Sequence, residues 1–202
     1  MTWRKFSLLL CGLFPFPLWP AQAGEAPAQG KDRECTLTVQ GVERHFLVHV
    51  PPQAGAKTPL PVVLMLHGGG GTGKGALAET GWDRKADEAG FLAVFPDATR
   101  PAPEKPARFG SNSQVWNDGS GRFHAGEQNV DDVACLNAIL DDLCAHYPVD
   151  PRRIFVTGFS NGASMAFRAG AELSKRVAFT FYQPTLTKGW LRSIIGLLRR
   201  FG

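Results

Sequence analysis

The chain has 202 residues, 44% hydrophobic and 20% charged, which suits one domain with a packed core and excludes a wholly disordered chain or a coiled coil. Its formal net charge of +4 sits at the two ends: Arg4 and Lys5 near the start, and Lys188, Arg192, Arg199 and Arg200 near the finish, carry six positive charges and leave −2 for the segment between them. Nucleic-acid binding by charge is therefore excluded for the body of the protein.

Residues 1–23 read as a signal peptide. Arg4 and Lys5 precede the apolar run Phe6 to Trp19, and Ala21-Gln22-Ala23 offers small residues at the spacing a signal peptidase needs. The run is too short, and too broken by Pro15 and Pro17, to span a bilayer. Leu10 stands where a small residue would precede a lipid-carrying Cys11. A secreted protein, extracellular or periplasmic, is expected. Its mature part keeps Cys35, Cys135 and Cys144, an odd number for an oxidising compartment. Cys135 and Cys144 fall about 13 Å apart along one expected helix, too far to pair with each other, so at most one pairs with Cys35.

In chain order, Thr36 to Val39 and His45 to Val50 alternate in polarity around Gln40-Gly41 and predict an antiparallel hairpin. Pro51 to Pro61 reads as a linker. "VVLML" at Val62 to Leu66 and "FLAVF" at Phe91 to Phe95 are continuous apolar runs of strand length, as in a parallel sheet covered on both faces. Ala76 to Ala89 between them predicts a helix ended by Gly90. Pro96 to Gln128 is a long aperiodic stretch, more often a functional rim than a connector. Asn129 to His146 carries apolar residues at 133, 136, 139, 140 and 143 and predicts an amphipathic helix. A strand at Arg153 to Thr157 and a helix at Asn161 to Leu173 follow. Strands and helices alternate, so the expected class is α/β with a mainly parallel sheet behind the N-terminal hairpin.

Two motifs carry chemistry. Gly158-Phe159-Ser160-Asn161-Gly162 has the G-x-S-x-G spacing, with a strand before and a helix after, the setting that exposes a strained serine nucleophile. "LHGGGG", Leu66 to Gly71, is a glycine loop directly after a buried strand, where backbone N–H groups stabilise an oxyanion without obstruction by side chains. The N–H groups of Gly69 and Asn161 are the expected donors. A competing reading takes Gly68 to Gly75 with Lys74 as a phosphate-binding G-x-x-x-x-G-K loop. Against it, Gly75 occupies the place of the magnesium-binding Ser or Thr.

Together with "FPDAT", "VWNDGSG" and the stretch from Asn129 to Ser174, these motifs resemble the poly(3-hydroxybutyrate) depolymerase-like esterases of the α/β-hydrolase superfamily, whose relatives include feruloyl and acetylxylan esterases. The resemblance covers residues 34–178. It implies an α/β-hydrolase fold and a serine carboxylic ester hydrolase that uses neither metal nor cofactor and acts on polyesters or ester groups of plant polysaccharide. By position Ser160 is the implied nucleophile. The loop from His67 to Gly70 is the implied oxyanion side, and Trp116 with Asn117 is part of the implied substrate-facing rim.

A serine nucleophile needs a base, and that base an orienting acid, in the α/β-hydrolase order Ser, acid, His. After Ser160 the sequence holds one acid, Glu172, about 18 Å along its helix, and no histidine; all five histidines precede it. His124, in the long loop, is the one candidate substitute. The resemblance also stops where the acid and base should begin. "RVAFTFY" suggests one more strand, and residues 179–202 read as a divergent basic tail. The expectation is an incomplete hydrolase domain, truncated by a frameshift or an early stop and inactive. Its alternative is a non-catalytic remnant that binds polysaccharide, or a membrane surface through an amphipathic segment at residues 188–201; out-of-frame coding would give the same tail pattern.

Overall fold

The structure is a computed structural model that describes residues 30–55 and 58–182. Residues 1–23, expected as a signal peptide, and the basic segment 188–201 lie outside the described residues.

The chain opens with the antiparallel strands β1 (Lys31–Val39) and β2 (Val42–Val50). Gln40 (φ 51°) and Gly41 (φ 80°) form the two-residue turn, the twist that suits a tight hairpin. Both strands begin or end beyond the alternating stretches because the ladder continues through charged, exposed residues such as Lys31 and Arg33. After a short 3-10 turn at Pro52–Gly55 come β3 (Leu60–Leu66), α1 (Gly73–Thr80), α2 (Trp82–Ala89) and β4 (Leu92–Pro96). The long loop holds the short helix α3 (Phe123–Glu127) and leads to α4 (Asp132–His146). The chain then forms β5 (Val149–Gly158), α5 (Asn161–Glu172) and β6 (Phe179–Tyr182).

The six strands lie in the order β1-β2-β4-β3-β5-β6. β2 runs antiparallel to both of its neighbours, β1 and β4, and β4, β3, β5 and β6 run parallel. All seven residues of β3 are buried, as a central strand covered on both faces requires. Its alternate side chains separate the core in two. Val62, Leu64 and Leu66 join Leu136, Ile139, Leu140, Met165 and Ala169 from α4 and α5. Val63 and Met65 face Trp82, Ala86, Phe91, Phe95 and Phe155 on the α1–α2 side.

The single helix expected over Ala76 to Ala89 is two. Gly81 adopts φ 72° and ψ 20°, at once the C-cap of α1 and the N-cap of α2, a left-handed conformation that glycine takes without steric cost. The break turns Trp82 inward, fully buried, with ring centroids 5.8 Å from Phe91 and 6.1 Å from Phe181. The first four residues of the expected tail, Phe179–Tyr182, pair in parallel with β5 as a strand of the sheet. Cys35, Cys135 and Cys144 are all free thiols. Burial pushes the Cys135 thiol up to about 11, which marks it as an inert core residue.

Candidate active site

β5 ends in Gly158, and two residues later Ser160 stands at φ 52° and ψ −121°, a region that costs a non-glycine residue on the order of 1–3 kcal/mol. It is exposed, whereas Asn161 just behind it is 6% exposed. Two glycines make the turn possible. A Cβ on Gly158 would lie 2.3 Å from the Gly162 carbonyl oxygen, and one on Gly162 would lie 2.3 Å from the carbonyl oxygens of both Leu66 and His67. The start of α5 is thereby pressed against the end of β3 and the glycine loop.

That loop is held from outside. Gly70 N–H donates to the Gln114 carbonyl (2.7 Å), Gly71 N–H to the Gly68 carbonyl (2.9 Å), and Gly73 N–H to the Asp97 carboxylate (2.6 Å). Among the described residues neither Gly69 N–H nor Asn161 N–H has an acceptor. The two residues adjoin: a Cβ placed on Gly69 would lie 3.8 Å from Asn161 Cβ. The phosphate-loop alternative meets an obstacle here. Gly73 N–H faces a carboxylate and Gly75 N–H donates to Thr72 Oγ1 (2.9 Å), so these two backbone donors are already taken and the Asp97 charge would repel a phosphate.

His67 is 2% exposed and held at both ring nitrogens: Nδ1–H donates to the Gly68 carbonyl (2.8 Å) and Nε2 accepts Ala98 N–H (3.1 Å). Burial holds its pKa below the ordinary histidine value against opposing effects of Gly68, Asp97 and Asp132. This neutral ring is a brace for the loop. Trp116 is fully buried beside it, with ring centroids 5.2 Å apart and its indole N–H donating to the His67 carbonyl (2.9 Å).

Trp116 and Asn117 were expected on a substrate-facing rim; the structure buries both beneath it. The Asn161 side chain accepts Trp116 N–H (2.8 Å) and donates to the Trp116 carbonyl (3.2 Å) and Asp118 Oδ2 (3.1 Å). Asn117 N–H donates to Asp132 Oδ2 (2.7 Å), and its amide nitrogen donates to the Val130 carbonyl (2.9 Å). Arg168 on α5 reaches the Asn117 carbonyl (2.8 Å). Burial opposes ionisation of Asp118, but hydrogen bonds from Ser120, Asn161 and Arg122 outweigh it and hold the carboxyl below its ordinary range.

The aromatic side chain that does stand on the rim is Phe109, 86% exposed. A Cβ on Gly70 would lie 2.4 Å from its Cδ2, so the ring rests on the glycine loop. Neither Phe109 nor the braces Asp97, Asp118 and Asp132 stood out in the sequence, although Asp97 and Asp118 lie inside "FPDAT" and "VWNDGSG".

The histidines are dispersed. His45 and His49 are on β2, and His146 closes α4, bonded to the Asp142 carbonyl (2.9 Å). His124 on α3 hydrogen-bonds the Thr99 backbone, and its Nε2 is buried without a partner among the described residues. Burial holds its pKa down, against that bond and the charges of Asp132 and Glu127. Its described contacts lie with Thr99 and not with the elbow.

A mainly parallel sheet, a serine elbow after β5, the third of its parallel strands in sequence order, and a glycine loop after β3 define the arrangement of the α/β-hydrolase superfamily. More narrowly, the chain belongs to the phospholipase/carboxylesterase family, whose profile matches residues 51–182. It is 25% identical over 139 residues to the bifunctional acetylxylan esterase/xylanase XynS20E of Neocallimastix patriciarum, covering 69% of this chain and 17% of that protein. It is 27% identical over 137 residues to the putative esterase NocK of Nocardia uniformis subsp. tsuyamanensis, covering 67% and 36%. The chain thus spans well under half the length of these relatives. Among solved structures, an acetyl xylan esterase from Aspergillus awamori superposes with a TM-score of 0.57 at 18% identity, covering 75% of this chain and 50% of that one. An S-formylglutathione hydrolase from Agrobacterium tumefaciens superposes with a TM-score of 0.60 at 20% identity, covering 79% and 60%.

Proposed function

We propose that the chain carries the nucleophile and oxyanion side of a secreted serine carboxylic ester hydrolase directed at ester groups of plant polysaccharide, and that in this sequence the site turns over poorly for want of a base. The observation that carries the reading is Ser160, exposed at a strained elbow beside the two unpartnered N–H groups of Gly69 and Asn161. In this mechanism Ser160 Oγ attacks the ester carbonyl, the C–O bond to the alcohol breaks, and water later hydrolyses the acyl-enzyme. The two N–H groups receive the negative charge that develops on the carbonyl oxygen. His67, Trp116 and Asn117 act behind this surface by holding the glycine loop and the start of α5, and Gly70 gives Phe109 a seat at the rim.

Likeness to acetylxylan esterases supports the plant-polysaccharide substrate over a microbial polyester. Arg4, Lys5, the apolar run and Ala21-Gln22-Ala23 support export. The inactivity rests on the histidines: His67 is locked at both nitrogens, and the described contacts of the other four lie away from Ser160. Loss of a catalytic histidine costs on the order of a million-fold in kcat in subtilisin, leaving only binding and oxyanion stabilisation. The 202-residue protein should therefore hydrolyse p-nitrophenyl acetate no faster than its Ser160→Ala variant. A clear excess over that variant refutes the inactivity and directs attention to His124.

A further inference from the structure

A cavity of about 640 Å³ among the described residues does not contain Ser160. It opens between the β1–β2 turn, the chain leaving β4, and the segment from Gln128 to Asp131 before α4. Its volume falls in the range of ligand sites, roughly 300–1000 Å³. Arg44 lies in its wall, only 4% exposed. One nitrogen, Nη2, makes both of its contacts, to Asp132 Oδ1 (2.5 Å) and the Asp97 carbonyl (3.4 Å). Its Nε and Nη1 donors have no acceptor among the described residues. A guanidinium in a cavity wall whose donors lack protein acceptors can give them to the oxygens of a ligand in place of water.

The charges decide which oxygens. Glu43, Asp97 and Asp131 line the cavity with Arg44, Arg100 and His45, whose Nε2 lies 3.1 Å from Glu43 Oε1, and Asp132 lies behind Arg44. An anion would meet net negative charge, and a cation would meet the two guanidinium groups. Gln40 and Gln128 add carboxamides, and Gln40 Nε2 donates to Asp131 Oδ2 (3.0 Å) across the exposed mouth, a bond that hydroxyl groups can replace on both sides. Valine and proline side chains supply apolar wall between these groups. Balanced donors and acceptors on apolar wall suit a molecule with hydroxyls around a C–H framework.

We propose that this cavity binds a neutral polyhydroxylated ligand, a segment of a carbohydrate chain, with Arg44 and Gln128 donating to its oxygens and Asp131 accepting from its hydroxyls. The cavity is joined to the back of the glycine loop through its own wall. Asp97 holds Gly73, Ala98 N–H holds His67, and the Gln114 carbonyl holds Gly70. A carbohydrate chain seated there would lie against the wall that braces the glycine loop.

The test is isothermal titration of the 202-residue protein with xylohexaose and with cellohexaose, both uncharged and free of esters. Saturable binding of either sugar is expected, unchanged in Ser160→Ala, so the result stands whether or not Ser160 is a working nucleophile. Arg44→Lys should weaken it at least about tenfold. Because Arg44 also pairs with Asp132, thermal melts check that this variant folds, and Val42→Trp gives an independent arm. Val42 lines the cavity from a strand position that is 47% exposed, so an indole there fills the mouth without entering the core. Absence of saturable binding to both sugars overturns the proposal, as does wild-type affinity in Val42→Trp. Tighter binding of an oligogalacturonate of equal length overturns the neutral ligand.

Discussion

Asn161 separates the two duties assigned to the start of α5: its backbone N–H faces the site, while its side chain braces the loop behind. Asn161→Ala removes only the second. In the wild type the side chain satisfies the N–H and the carbonyl of Trp116, itself fully buried, and adds a bond to Asp118. Alanine leaves the buried Trp116 N–H unpaired, at a cost of about 1–3 kcal/mol, while the Trp116 carbonyl keeps its bond from Asp118 N–H (3.1 Å). The better helix propensity of alanine returns at most about 0.7 kcal/mol. With the bond to Asp118 also lost, the expected net loss is about 1–3 kcal/mol, a sizeable share of the roughly 5–15 kcal/mol that holds a typical domain folded. Urea unfolding followed by tryptophan fluorescence and circular dichroism measures it, with the slope m unchanged. A loss below about 1 kcal/mol at constant m would show that water or a shifted loop satisfies Trp116, and the bracing role would fall.

Asn161→Asp sharpens the same test. The new carboxylate can still accept Trp116 N–H, but it stands where the amide was donating to Asp118 at 3.1 Å. Two carboxylates at that distance cannot both ionise cheaply, so one is raised above its unfolded pKa. A raised acid is stable when protonated. The deficit of Asn161→Asp relative to wild type should therefore be full near neutral pH and shrink as pH falls through the raised value. A pH-independent deficit contradicts the contact with Asp118.

Two further outcomes follow from packing and charge elsewhere. Gly162→Ala places a methyl group 2.3 Å from two backbone oxygens that belong to β3 and the glycine loop, an overpacking cost of about 1–3 kcal/mol or more; it should lower Tm well below that of Gly75→Ala, whose methyl meets only Thr72 Oγ1 at 3.3 Å, and equal melts would refute the close approach. His49, 7% exposed, lies between Asp32 on β1 (2.6 Å) and Asp87 on α2 (2.9 Å). Burial disfavours its charge, but the hydrogen bonds and charges of Asp87 and Asp32 outweigh it and raise the pKa. A raised histidine contributes stability that is complete below about pH 6.5 and lost as pH rises through the folded value. The Tm gap between wild type and His49→Gln should thus narrow from about pH 6 to about pH 9, and a gap that widens contradicts the clamp.

What was legible in the sequence follows from where each signal resides. "VVLML", "FLAVF" and "RIFVT" announce strands because burial on both faces leaves them continuously apolar, and the elbow is legible because its strand, turn and helix are consecutive in the chain. The division at Gly81 was not legible. Helical periodicity continues across it, and its cause is the distant demand of Phe91 and Phe181 for Trp82. The same distinction governs the site. Ser160, Gly69 and Asn161 stand on local motifs, but the duties of Trp116 and Asn117 depend on partners far along the chain: Asn161 and His67 for one, Asp132 and Arg168 for the other. A polar residue in a glycine-rich loop reads as exposed until such partners are known. Once they are, exposure passes to Phe109, and the stretch Gln114–Asn117 becomes a buried frame tied to His67, Asp132 and Asn161. A frame of that kind has a physical consequence for the chemistry. On the proposed function, the donors of Gly69 and Asn161 are fixed by that frame before any ester arrives, so the oxyanion side needs no rearrangement to form.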